Sequence, residues 1–182
     1  MFESLERRVL LAATTTAAAI VDHLGVLHVN GTDGSDHIDV LRVGEHVVVF
    51  VDPLGIQTMT YDVASLQSIT IDAGAGDDDV LIDERIDLSA DVRGGAGNDV
   101  LTGGAGNDDL SGGPGNDVIT PGPGRDSVGA GAGNDRIVSR DSQPDVIDCG
   151  PGRDMAIVDP VDRVRRCETV VRIQSPPRDG LG

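Results

Sequence analysis

Nine residues is a period that few folds can use, and over residues 94–138 this chain repeats one nine-residue phrase five times without a break. Gly94-Gly95-Ala96-Gly97-Asn98-Asp99-Val100-Leu101-Thr102 sets the pattern, and GGAGNDDLS, GGPGNDVIT, PGPGRDSVG and AGAGNDRIV follow in register. Glycine recurs at Gly97, Gly106, Gly115, Gly124 and Gly133, and aspartate at Asp99, Asp108, Asp117, Asp126 and Asp135. An aliphatic residue recurs at Leu101, Leu110, Ile119, Val128 and Ile137. Three chemically unrelated demands share one period, which is the mark of a repeat architecture. Degraded copies flank the run. Residues 31–39 keep Gly34, Asp36 and Ile38, residues 73–81 keep Gly74, Gly76, Asp78 and Val80, and the phrase returns in pieces at 143–147 and 149–157.

The phrase divides into turn and strand. Its first six positions, Gly-Gly-x-Gly-x-Asp, are turn chemistry, because glycine admits positive φ and aspartate can bond its own backbone. The remaining three have room for one short strand with one inward side chain. Two phrases then make a flattened coil with a strand on either side, and alternate phrases stack about 4.8 Å apart as parallel neighbours. So narrow an interior is filled by small aliphatic residues, which fits a chain with no Trp, one Tyr and two Phe. Val80, Leu101, Ile119, Ile137 and Ala156 are expected on one sheet, and Val92, Leu110, Val128 and Ile147 on the other. Asp78, Asp99, Asp117, Asp135 and Asp154 should form a column at one edge, and Asp108, Asp126 and Asp145 a column at the opposite edge.

Such columns are electrostatically costly. Carboxylates about 5 Å apart repel by roughly 1 kcal/mol in water and about 3 kcal/mol at an effective dielectric of 20. Summed along a column, this consumes much of a domain stability of roughly 5–15 kcal/mol. A cation between successive turns removes the repulsion. The five-phrase run offers carboxylate and backbone carbonyl oxygens and contains no Cys or His, a hard oxygen set that suits Ca²⁺ better than zinc, copper or magnesium. The whole chain agrees: thirty-one acidic residues face fourteen basic ones, for a net charge of -17, which repels nucleic acid and anionic membranes alike. No apolar run approaches the roughly 20 residues needed to span a bilayer.

The phrase GGxGxDx-aliphatic-x resembles the hemolysin-type (RTX) calcium-binding nonapeptide repeat. That resemblance implies an all-β fold, a right-handed parallel β-roll or β-solenoid with Ca²⁺ held between stacked turns, in which each phrase gives one aspartate oxygen and its turn glycines give carbonyls. Carried over by position, the side-chain ligands are Asp99, Asp108, Asp117, Asp126 and Asp135, with Asp78 and Asp154 in the flanking copies. The carbonyls are those near Gly95, Gly97, Gly104, Gly106, Gly113, Gly115, Gly122, Gly124, Gly131 and Gly133. Pro121 and Ala130 replace first-position glycines, and Arg125 and Arg153 stand where other phrases have asparagine; sites at Asp126 and Asp154 are therefore expected to be the weak ones. A flexible acidic linker shares this composition, but it has no reason to keep an aliphatic residue in phase.

Around the repeat, residues 20–24, 26–30, 38–43, 46–51, 56–61 and 68–71 read as short strands, punctuated by Gly25, Gly44 and Asp52-Pro53-Leu54-Gly55. Val43-Gly44-Glu45-His46 reads as a hairpin turn inserted near the start of the roll. Cys149 and Cys167 are 18 residues apart, one full coil, which brings their Cα atoms within the roughly 4.4–6.8 Å that a disulfide favours. Two free thiols are the alternative. A bridge would require an oxidising compartment, and the text from Pro144 to Glu168 looks like the disulfide-bearing tails of some exported nonapeptide-repeat proteins. The opening Leu5-Glu6-Arg7-Arg8-Val9-Leu10-Leu11 resembles the Leu-Glu-Pro-Arg-x-Leu-Leu sorting motif of planctomycete-type surface and exported proteins, with Arg7 in place of proline.

The expected organisation is a leader over 1–21, a strand region with the hairpin over 22–72, the nonapeptide roll with a disulfide-capped end over 73–168, and a tail over 169–182. His23, His28, His37 and His46 lack HExxH spacing, no GxSxG or P-loop occurs, and no Cys-His pair is supported. The expected function is therefore calcium binding coupled to folding in an extracellular or cell-surface protein that is not an enzyme. It is expected to be a monomer with a structural or adhesive role and a cell-surface or extracellular-matrix partner. The competing reading is the calcium and secretion module of an extracellular hydrolase or toxin-like protein.

Overall fold

The computed structural model describes residues 18–52 and 57–173. The chain opens with β1 (Ala18–Val21), β2 (Val26–Thr32), β3 (His37–Val43), β4 (His46–Asp52) and β5 (Gln57–Asp62). A single 3-10 turn at Val63–Ser65 leads into β6 (Ser68–Ala75), β7 (Asp79–Ile82) and β8 (Ser89–Ala96). The regular phrases give β9 (Val100–Thr102), β10 (Asp109–Pro114), β11 (Val118–Thr120), β12 (Ser127–Ala132) and β13 (Arg136–Ser139). The chain closes with β14 (Val146–Asp148), β15 (Met155–Val158), β16 (Arg163–Arg165) and β17 (Thr169–Arg172).

These strands form a parallel β-solenoid of two facing sheets, ordered β1-β2-β6-β8-β10-β12-β14-β16 and β17-β15-β13-β11-β9-β7-β3-β4-β5. From β6 onward successive strands alternate between the sheets, so each phrase contributes one strand and every second phrase pairs in parallel. Both expected ladders are present: Val80, Leu101, Ile119, Ile137 and Ala156 lie side by side in one sheet, and Val92, Leu110, Val128 and Ile147 in the other. All nine side chains are buried and belong to a single core. The copy at 31–39 joins the stack, since Ile38 pairs with Val80. The 21-residue spacing before the regular run is absorbed by the 83–88 loop, which tucks Ile86 into the core.

The two ends differ. At the start, β3 turns at Gly44, where φ is +62°, into an antiparallel hairpin with β4, and β5 adds a third antiparallel strand. Val47, Val49 and Val51 of β4 are buried, so the insert extends the sheet and covers the end of the core. Tyr61 ties this cap to the opposite sheet by donating a hydrogen bond to the Ala19 carbonyl at 2.9 Å. Residues 22–24, expected as strand, form a turn instead, because the Leu24 and Val26 N–H groups donate to Asp22 Oδ1. At the other end β17 lies beyond Glu168, where the sequence places the end of the roll, and pairs with β15 in parallel. Cys149 and Cys167 form a disulfide with Cα atoms 5.2 Å apart. The 53–55 turn, residue 56, the sorting motif and residues 174–182 lie outside the described residues.

Candidate metal centre

Each sheet strand delivers its phrase's aspartate to an edge of the roll, where the glycine turns run. On one edge stand Asp36, Asp78, Asp99, Asp117, Asp135 and Asp154. Here the backbone N–H of each aspartate donates to a carboxylate oxygen of the next coil's aspartate, at 2.8 Å from Asp36 to Asp78 and 2.9 Å at each later step. The series ends where the Asp154 N–H donates to Glu168 Oε2 at 2.7 Å. The opposite edge carries a shorter series through Asp108, Asp126, Asp145 and Asp162, with steps of 2.9, 2.8 and 3.1 Å.

The two edges differ in their second oxygens. All six aspartates of the long series are at most 3 % exposed, and each keeps one buried oxygen without a hydrogen-bond partner: Oδ1 of Asp36 and Oδ2 of Asp78, Asp99, Asp117, Asp135 and Asp154. On the short edge Asp108 Oδ2 accepts from the Gly104 N–H at 3.0 Å and Asp145 Oδ2 from the Ser139 hydroxyl. Only Asp126 Oδ2 is left over there among the described residues.

Burying a carboxylate disfavours its charged form whether or not both oxygens find donors, and the acidities on both edges reflect it. Burial is the leading cause in each case, partly offset by the backbone N–H donor. It pushes Asp78, Asp117 and Asp145 up to about 6 and Asp126 to about 7, with neighbouring carboxylates adding to the rise. Asp99, Asp108, Asp135 and Asp162 are raised for the same reason. Glu168, by contrast, is lowered by the N–H of Asp154.

The turn glycines shape the surroundings of these oxygens. A Cβ on Gly113 or Gly131 would sit 2.0 Å from the carbonyl oxygen of Gly95 or Gly113, and on Gly115 or Gly133 within 1.6 Å of that of Gly97 or Gly115. Carbonyls of the long edge thus run in files, each against the glycine Cα of the next coil. Gly106, Gly122 and Gly124 serve the short edge in the same manner, with Gly104 contributing the carbonyl that Gly122 meets. First-position glycines lie against the leftover oxygens themselves, a Cβ on Gly94 falling 2.3 Å from Asp99 Oδ2 and one on Gly112 2.2 Å from Asp117 Oδ2. The result is a set of hard oxygens, partly anionic and lacking donors, in a cradle that side chains would fill. That donor set fits Ca²⁺.

The aspartates and glycines of the regular phrases lie on these two edges, whereas Gly25 and Gly44 sit in turns ahead of the regular run. Arg125 and Arg153 leave the ladder intact: both are exposed, and their N–H groups accept the role that Asn116 and Asn134 play, bonding to Asn107 and Asn134 Oδ1. Asp162 and Glu168 were missed as ladder members, because their coils are shortened and carry no glycine phrase. Among the described residues no three His, Cys, Asp or Glu side chains form a ready metal cluster. His37 lies between Asp39 and Asp79 at 3.2 and 3.3 Å, and His28 beside Asp22 at 3.2 Å, which are surface pairs. No helix among the described residues is long and apolar enough to cross a membrane.

Comparison with protein families agrees with this geometry. Residues 91–119 and 122–141 match the RTX calcium-binding nonapeptide repeat in four copies. The chain thus carries calcium-binding repeats folded as a β-roll, and the ion those repeats bind is Ca²⁺. No curated protein matches the chain.

Proposed function

We propose that this is an exported structural or adhesive protein whose folding is coupled to calcium, with the long aspartate edge as its main binding element. The observation that carries the reading is the unbroken series of six buried aspartates, each with an oxygen lacking a donor. Asp78, Asp99, Asp117, Asp135 and Asp154 would hold ions with carbonyls near Gly95, Gly97, Gly113, Gly115, Gly131 and Gly133. Asp108 and Asp126 would do so with those near Gly104, Gly106, Gly122 and Gly124. A bound Ca²⁺ supplies the positive charge that these buried oxygens lack. The chain's own part is to bring the carboxylates into file, which the aliphatic ladders and the glycine turns do.

Export is supported by the disulfide, which persists in oxidising compartments, and by an acidic chain that stays loose where calcium is scarce. Extracellular calcium modules bind with dissociation constants of roughly 10⁻⁴–10⁻³ M, so folding would follow release into calcium-rich surroundings. Far-UV circular dichroism of the calcium-stripped chain should show a loss of β signal that millimolar calcium restores. A chain already fully folded in excess chelator and indifferent to calcium would sink coupled folding. In calorimetric titration Asp117→Ala should bind two fewer ions than the wild type, because Asp117 faces one neighbour on each side; an unchanged count would refute its role as a shared ligand.

A further inference from the structure

On the short edge the nonapeptide phrase gives out after Ser139, and the turns that replace it contain no glycine. Residues 140–145 and 158–162 instead carry Asp141 and Asp159, two aspartates outside the expected columns. In the regular turns of the long edge the N–H groups of Gly97 and Gly115 donate to the carbonyls of Pro114 and Ala132 one coil on, at 3.0 and 2.8 Å. On the short edge the Gly124 N–H donates to Asp141 Oδ2 at 2.9 Å, and one coil later the Ser142 N–H donates to Asp159 Oδ2 at 2.6 Å. A side-chain carboxylate twice takes the place of a backbone carbonyl.

A neutral carbonyl is enough to satisfy such an N–H, as the regular turns demonstrate. The hydrogen bond therefore explains an acceptor at Asp141 but not a negative charge. That charge arrives beside Asp126, the one aspartate of the short edge among the described residues that keeps an unpartnered buried oxygen, and Asp126 is only 2 % exposed. The charges acting on Asp126 are those of Asp145, Asp108 and Asp141, and Asp141 also acts on Asp145. Asp141 itself is half-buried, its oxygens taken by the Gly124 N–H and by the backbone and side-chain amides of Gln143. Asp126 accepts a backbone N–H, Asp145 a backbone N–H and the Ser139 hydroxyl, and Asp141 amide donors. The three carboxylates therefore do not converge as they stand, and a hard cation would draw them together.

We propose that Asp141 joins Asp126 and Asp145 to hold one divalent cation of the calcium type near the end of the short edge, in a site whose third carboxylate comes from outside the nonapeptide phrase. The proposal rests on the calcium-binding reading of the roll and adds to it. Affinity rises with the number of anionic ligands, so this site should be the tightest of the short edge, where the sequence alone expects the weakest.

The test is calcium titration calorimetry on the full chain as wild type, Asp141→Asn, Asp141→Glu and, as a distant control, Asp72→Asn. Asparagine retains a neutral acceptor for the Gly124 N–H and removes only the charge. Asp141→Asn should lose one tight ion per chain, or show that ion bound at least about ten-fold more weakly, with the remaining sites unchanged, while Asp141→Glu and Asp72→Asn keep the wild-type count. Wild-type stoichiometry and affinities in Asp141→Asn would overturn the proposal. So would loss of the far-UV β signal at saturating calcium in both Asp141 variants, which would assign the residue a structural role. A wild type that binds no calcium would instead bring down the calcium reading of the roll as a whole.

Discussion

An aspartate in this roll has two oxygens with different employments. One accepts the N–H of the preceding coil's aspartate, and on the long edge the other has no donor at all. The first oxygen is architecture and the second is chemistry. Burial raises the pKa of Asp78, Asp117 and Asp145 to about 6 and that of Asp126 to about 7, above the roughly 3.9 of an aspartate in an unfolded chain. The folded state therefore binds protons more tightly than the unfolded one. The stability linked to these groups is full below about pH 4 and is lost as pH rises through 6 to 7. The calcium-stripped chain should accordingly gain β signal in circular dichroism on acidification from pH 8 to 5. With calcium present, protons compete for the same oxygens and acid should weaken binding. A calcium-free chain whose β content does not rise with acid would show that the leftover oxygens carry no such penalty.

At the scale of the element, the nine-residue phrase left little of the roll to chance, because strand, turn and carboxylate recur together. Leu101, Ile119 and Ile137 could be laid in one ladder from spacing alone, and the parallel register confirms it. The elements that escaped are those where the phrase is diluted. Residues 22–24 read as strand from their composition but are folded by the Asp22 side chain, and β17 follows a coil in which no glycine marks the turn. Nor could spacing reveal that Asp108 and Asp145 would find donors in the Gly104 N–H and the Ser139 hydroxyl while Asp99 and Asp117 would not. That asymmetry is settled by contacts between coils. Glycines are equally unequal. Gly115 has φ of +152° and a Cβ there would lie 1.6 Å from the Gly97 carbonyl oxygen, whereas nothing lies within 4 Å of a Cβ on Gly129. Thermal melts at saturating calcium should show Gly115→Ala destabilised by well over about 1 kcal/mol and Gly129→Ala neutral or slightly stabilised. Equal effects would mean that the turn does not hold its approach to the next coil.

For the whole molecule, the strands pack chiefly against their partners one coil away, so stability should be a sum of coil terms and interface terms. The antiparallel cap of β3, β4 and β5 covers one end of the core. At the other end Val170, the last inward position of its ladder, is still 40 % exposed, and the Cys149–Cys167 bridge ties the final coil back to its neighbour. On the loop-entropy model an 18-residue bridge contributes about 3 kcal/mol. Cys167→Ser should therefore lower the denaturation midpoint, and hydrogen exchange should place the loss in the coils after Asp135. A uniform loss along the chain would mean that the roll unfolds as one unit.

The aspartate ladder also has a direction. Each aspartate N–H on the long edge looks forward to a carboxylate one coil later, from Asp36 to the last acceptor at Glu168. A coil duplicated between those two residues would inherit a donor behind it and an acceptor ahead. One added after Glu168 would find the sequence of donors already closed. The aspartate series is thus polar along the roll, open to a coil inserted within its span and closed by a different side chain at Glu168.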